Sequence, residues 1–144
     1  QEVLGALDIG ATEVGEVMVP RDEMVVLSTT DDVETTLNRM HEEPHVRFPL
    51  IGPDEEFLGI VYTPAIVDDV EELRQGEVDI EDLAAPPMTV AADTTVSDLI
   101  DQFQAESQEL ALVLDAGQVV GLVTQTDAVE EITGEFRDPF DDEP

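Results

Sequence analysis

The stretch Val119-Val-Gly-Leu-Val-Thr-Gln-Thr-Asp-Ala-Val-Glu-Glu-Ile-Thr-Gly-Glu135 sets the reading of the whole chain. Val119 to Val123 reads as a short buried strand, Thr124 to Thr126 as a polar step, and a helix starts near Asp127. A strand running into a helix N-terminus leaves backbone N–H groups without intrahelical partners. That end carries a partial positive charge and suits a phosphate. Thr124 offers a hydroxyl to a phosphate oxygen, and Asp127 a carboxylate that accepts hydrogen bonds from a ribose diol. The same spacing fits an ordinary turn in which Thr126 or Asp127 caps the helix, so on spacing alone both readings stand.

Working outward, the pattern before this stretch occurs twice. Val96, Leu99, Ile100 and Phe103 form one helical face, as Val33, Leu37 and Met40 do earlier. Asp31 and Glu34 resemble a capping box before the earlier helix. Leu110 to Leu114, the turn Asp115-Ala-Gly-Gln118 and Val119 to Val123 read as a hairpin. Phe48 to Ile51, Gly52-Pro-Asp-Glu-Glu56 and Phe57 to Tyr62 read as its counterpart. Sliding the first half onto the second matches Val33 with Val96, Leu37 with Ile100, Met40 with Phe103 and Gly59 to Tyr62 with Gly121 to Thr124. Met24 to Leu27 and Met88 to Val90 each open a unit as a strand, and a helix beginning at Pro64 closes the first.

The fold class is therefore α+β, two βαββα repeats. One unit of roughly 55 residues buries little surface alone, so the pair is expected to pack sheet to sheet about a pseudo-twofold axis, with clefts between the repeats. The boundaries read as an entry segment at 1–16, repeat 1 at 17–73, a polar linker at 74–79, repeat 2 at 80–137 and an acidic tail at 138–144. Val3, Leu4, Leu7 and Ile9 could pack as a short helix or arm in the entry segment. Ile80 to Leu83 reads as a short turn.

The charge is extreme: 36 Asp plus Glu against 5 Arg and no Lys among 144 residues, a formal net charge of −31. At ordinary ionic strength such a chain repels itself, whereas at molar salt the Debye length falls to about 3 Å. With 42% hydrophobic residues the composition suggests a globular protein adapted to a salty cytoplasm, the acids being spread along the whole chain; the alternative is that they form a cation-binding surface. No basic stripe is present to neutralise phosphates, which argues against nucleic acid as a partner. No apolar run reaches the roughly 18–20 residues of a membrane span. Cysteine is absent, and the two histidines, His41 and His45, flank Pro44. There is no nucleophile–base pair, so the chain is not read as an enzyme.

The two units resemble CBS (cystathionine β-synthase) domains, and the chain looks like a tandem pair, or Bateman module, from about Val14 to Arg137. The strongest motif is Gly121-Leu-Val-Thr-Gln-Thr-Asp127, which is similar to the family's Gly-x-x-Ser/Thr-x-x-Asp element. The resemblance gives Thr124 the phosphate and Asp127 the ribose of an adenine nucleotide, ATP or AMP, with or without Mg²⁺. Thr126 lies between them. It also draws the base into an apolar slot near Met88 and Val90. Tyr62 and Ala65 stand at the matching places of the first repeat, so one competent pocket is expected. Arg21 and Arg47 are two of the five cations, so either could neutralise a phosphate; a salt bridge to one of the many nearby acids suits each somewhat better.

Three further motifs are similar to those of the CorC/hemolysin-C and cyclin-M type: Val17-Met-Val-Pro-Arg21, His45-Val-Arg-Phe-Pro-Leu50 and Asp127-Ala-Val-Glu-Glu-Ile-Thr-Gly-Glu135. That resemblance implies a homodimer of CBS pairs on the cytoplasmic side of the cell membrane. It would be attached in the parent chain to a membrane domain linked to magnesium or cobalt transport. The alternative is a structural dimerisation module with a vestigial pocket.

Overall fold

The computed structural model of the chain describes residues 11–135. The expected entry helix around Val3 to Ile9 and the acidic tail lie outside them. In chain order the first half holds α1 (Val14–Val17), β1 (Val19–Pro20), a 3-10 turn (Arg21–Glu23), β2 (Leu27–Ser28), α2 (Val33–Glu42), β3 (Arg47–Ile51) and β4 (Phe57–Tyr62). After β4 come α3 (Thr63–Ile66), a second 3-10 turn (Val67–Asp69) and α4 (Val70–Arg74). The second half holds α5 (Ile80–Leu83), β5 (Met88–Ala91), α6 (Val96–Glu106), β6 (Leu110–Asp115), β7 (Gln118–Thr124) and α7 (Gln125–Glu135).

These elements form two compact units. One is continuous, Val25–Pro87, with the sheet order β2-β3-β4. The other joins residues 11–24 to 88–135, with the order β1-β7-β6-β5. The βαββα order is present in both. Parallel pairing joins β2 to β3 and β5 to β6, with the helix between as the crossover, and an antiparallel hairpin follows. The repeat extends to irregularities: the register slips between Leu50 and Ile51 in one hairpin and between Val113 and Leu114 in the other. The β6–β7 turn places Ala116 and Gly117 at φ 51° and 78°, as a two-residue turn of the primed type requires.

Each unit has its own core. Leu27, Met40, Phe48, Leu50, Val61, Ile66 and Leu73 fill the continuous one. Val14, Val96, Leu99, Phe103, Val113 and Val123 are among those filling the other. Burying a side chain the size of Phe48 or Phe103 contributes about 1.5–3 kcal/mol, which is why a helical stripe against a two-sided strand pair suffices locally.

Four details differ from the sequence reading. The cap of α2 is Asp32, whose carboxylate accepts the Thr35 N–H at 2.7 Å, rather than Asp31. The helix after Pro64 is broken, because Ile66 leaves the regular helical region at φ −106° and ψ 0°. Ile80–Leu83 is a one-turn helix closed by a capping box between Asp79 and Asp82. Val14–Val17 is its twin, boxed by Glu13 and Glu16.

The twin hooks sit on different strands from the ones chain order suggests. Residues 14–20 follow α1 into β1, which pairs antiparallel with β7, Val19 opposite Leu122 and Pro20 opposite Gly121. Residues 80–86 likewise bring Ala85 against Ile60 of β4 through reciprocal N–H to O bonds of 2.8 Å. Each hook therefore lies beside the last strand of the other repeat.

Candidate functional site

The strand–helix junction of the discontinuous unit begins where β7 runs out. Thr124 still pairs with Leu110 across the hairpin, and the next amide, Gln125 N–H, donates to Glu109 O at 2.9 Å. The chain then turns into α7, and the Thr124 hydroxyl accepts the Asp127 N–H at 3.1 Å. Thr124 is thus the cap, in place of Thr126 or Asp127. The hydrogen bond fixes its rotamer and uses one lone pair, leaving the hydroxyl proton free to be donated to an anion. Among the described residues no protein acceptor takes the Thr126 N–H, so the first turn presents one donor beside that hydroxyl. Asp127 is half-buried in the same turn and Thr126 is exposed.

The structure brings Thr124, Thr126 and Asp127 together. Met88 and Val90 belong to the same unit, but they are only 4% and 5% exposed and lie in its core, paired in register with Ala111 and Val113. The outward positions of β5 are Thr89 and Ala91. Arg21 follows β1 and donates to Val119 O at 3.4 Å, at the beginning of β7. Thr124 ends that strand, about 17 Å away at the usual rise per residue, so Arg21 is not brought to the junction. A depression of 470 Å³ in this unit lies at the far end of the sheet, lined by Glu13, Gly15, Glu16, Ala92, Asp93 and Asp115 among others.

Arg47 belongs to the continuous unit. It pairs with Tyr62 across the hairpin, its guanidinium carbon 4.4 Å from the centre of the Tyr62 ring. That unit's junction differs in chemistry. Tyr62 stands where the other unit has Thr124, and Ala65 where it has Asp127, so neither capping hydroxyl nor carboxylate is present. The Thr63 hydroxyl is buried, without a hydrogen-bond partner among the described residues. The helix there runs only Thr63–Ile66, against Gln125–Glu135 at the other junction.

One requirement of the motif was missed in the sequence. Gly121 sits under the crossing hook, and a Cβ there would run into Val19 O and, at 2.7 Å, the Met18 sulfur. Gly59 is held likewise, its Cβ 2.6 Å from Ala85 O. The recurring pattern of two acids three apart followed by Pro, Glu13 to Pro20 and Asp79 to Pro86, was the available signal.

Comparison with known proteins completes the description. The sequence model of the CBS domain matches residues 14–73 and 76–134. The magnesium and cobalt efflux protein CorC of Vibrio cholerae is 30% identical over 141 residues, covering 96% of this chain and 48% of that protein. The chain thus spans about half the length of that curated relative. A solved CBS domain of a bacterial CNNM/CorC family Mg²⁺ transporter in complex with ATP superposes with a TM-score of 0.79 at 28% identity, covering 93% of this chain and 96% of that one. A CBS-domain pair with bound AMP from Klebsiella pneumoniae superposes at 0.73 with 26% identity, covering 85% and 99%.

Proposed function

The chain belongs to the CBS-domain family, and we propose that it is a regulatory module that senses an adenine nucleotide at the β7–α7 junction. The observation that carries this is the Thr124 hydroxyl, fixed at 3.1 Å from the Asp127 N–H at the start of an 11-residue helix. The hydroxyl and the Thr126 N–H face a phosphate, and the Asp127 carboxylate takes the ribose. The ligand is ATP or AMP, the forms named in the two solved relatives. Mg²⁺ suits a polyphosphate approaching a chain of charge −31. Arg47 and Arg21 are bound elsewhere in their units and serve the phosphate only by leaving those partners. Met88 and Val90 are buried in the core, so a base that stacks on the β5 edge meets the outward positions Thr89 and Ala91 instead.

In the parent protein the module works from the cytoplasmic side, as a homodimer of CBS pairs, on a membrane domain that moves magnesium or cobalt. Among the described residues no helix is long and apolar enough to cross a membrane. The nucleotide biases that domain only through its differential affinity for two arrangements of the module. No catalytic step is assigned.

Thermal melting in molar KCl with AMP, ADP and ATP, each with and without Mg²⁺, tests the reading. Ligand at about 100 times its Kd adds roughly 2.7 kcal/mol, at about 2–4 °C per kcal/mol for a chain of this size. One nucleotide is expected to raise the midpoint in the wild type and not in Asp127→Ala. A flat response in folded, ligand-free protein would instead favour a dimerisation module with a vestigial pocket, the reading that Tyr62 and Ala65 at the first junction support.

A further inference from the structure

The two hooks are twins in sequence, yet they close differently on their own units. In the discontinuous unit the hook is sewn to the start of α6. Val14 N–H donates to Thr94 O at 2.8 Å, Gly15 N–H to Ala92 O at 2.9 Å, and Val96 N–H to Thr12 O at 2.8 Å. Val14 and Val96 are 0% exposed as a result. The repeat places Val78, Ile80 and Glu81 where that seam has Thr12, Val14 and Gly15, and Thr29, Asp31 and Val33 where it has Ala92, Thr94 and Val96. Among the described residues, none of the three counterpart bonds forms. In their place is a cleft of 320 Å³, walled by Val33, Val78 and Ile80 and floored by Leu37 and Leu73. Val33 and Ile80 remain partly exposed.

Two substitutions account for the opening. A Cβ on Gly15 would already press on Ala92, 3.2 Å from its O and 3.3 Å from its Cβ, so the sewn seam tolerates almost nothing there. The open seam has Glu81 at that place. Thr94 of the sewn seam is replaced by Asp31, which lines the cleft together with Asp79 and Glu81. Like charges oppose closure, and the fold itself does not demand an opening, as the sister seam shows.

We infer that this cleft is a binding site for a small amphipathic organic cation, an alkylammonium or alkylguanidinium. The volume lies at the small end of ligand pockets, and the apolar walls take an alkyl body. The mouth carries Asp31, Asp79 and Glu81, which favour a cationic head and repel an anion. Arg39 reaches Asp31 only at 4.0 Å, and Arg74, beside the floor, is committed to Glu34 at 2.8 Å and Glu71 at 3.2 Å. The occupant supplies the apolar fill that the sewn seam obtains from its own residues, and its charge offsets the acids that stand where the sewn seam has Gly15 and Thr94. The cleft belongs to the continuous unit and the Thr124–Asp127 junction to the other, and the inference does not depend on nucleotide binding.

The test is a titration of the whole chain with hexylammonium, hexanol and hexanoate, followed by methyl NMR at the lowest KCl that keeps it folded. Saturable shifts are expected at Val33, Leu37, Leu73, Val78 and Ile80, with Val14 and Val96 as unmoved controls. Hexylammonium should bind about fivefold tighter than hexanol, the equivalent of about 1 kcal/mol. Hexanoate should not bind. Glu81→Gln should remove much of that preference while leaving hexanol unchanged. The double variant Glu81→Gly, Asp31→Thr should sew the seam, slowing exchange of the Ile80 amide and abolishing binding. No saturable shift at the cleft methyls, equal shifts at Val14 and Val96, or hexanol or hexanoate binding as well as hexylammonium would overturn the inference.

Discussion

Gly121 shows how one absent side chain serves two partners. The motif that points to a nucleotide contains this glycine, yet the structure uses it to let the Met18–Val19 backbone cross β7. Gly121→Ala should therefore destabilise the protein by about 1–3 kcal/mol through overpacking, measured as a lower denaturant midpoint with an unchanged slope. An unchanged midpoint would mean the hook is not held there. At this scale the sequence disclosed residue types better than their engagements. Thr124 and Asp127 were legible because strand, hydroxyl and carboxylate lie within a few positions. That the Thr124 oxygen caps Asp127 was not, since Thr126 and Asp127 are equally good caps by type. The burial of Met88 and Val90 was also hidden, because a short apolar strand does not reveal which of its faces meets a core.

Among the elements, α2 and α6 were readable from their apolar stripes, and the hairpins from turn residues between β-branched runs. The hooks were not, because a four-residue helix has too few turns to show a period. The cap of α2 offers a pH test. The Thr35 N–H beside Asp32 holds its carboxyl below the usual value of 3.8. A depressed folded pKa stabilises the fold above the unfolded pKa, and that contribution is lost as pH falls through the folded one. Asn also caps but does not titrate. The stability difference between wild type and Asp32→Asn should hold constant from about pH 7 to 5 and shift against the wild type below about pH 4. Urea midpoints across that range check it; a difference independent of pH would exclude the ionised cap.

For the whole molecule, the net charge of −31 makes salt the condition to test. With 36 acids and 5 arginines, repulsion acts across the entire surface, and pairs such as Arg74 with Glu34 and Glu71 offset little of it. The thermal midpoint should rise by on the order of 10 °C from 0.1 to 2 M KCl as the Debye length contracts from about 10 to 3 Å. A midpoint indifferent to KCl would contradict the salt-adapted reading. The tandem organisation was legible because the repeat is long and periodic. Which hook joins which sheet was not, since local pattern carries no address for a strand 98 residues away, the separation of Arg21 from Val119. That separation also orders events in time. On the ribosome, Val25–Pro87 can complete its sheet and its own hook without interruption. Residues 11–24 must wait for β7, and among the described residues they alone pair with its outer edge. The segments on either side of Val25–Pro87 thus meet only after that unit has emerged, and until they do, the outer edge of β7 is open to mispairing.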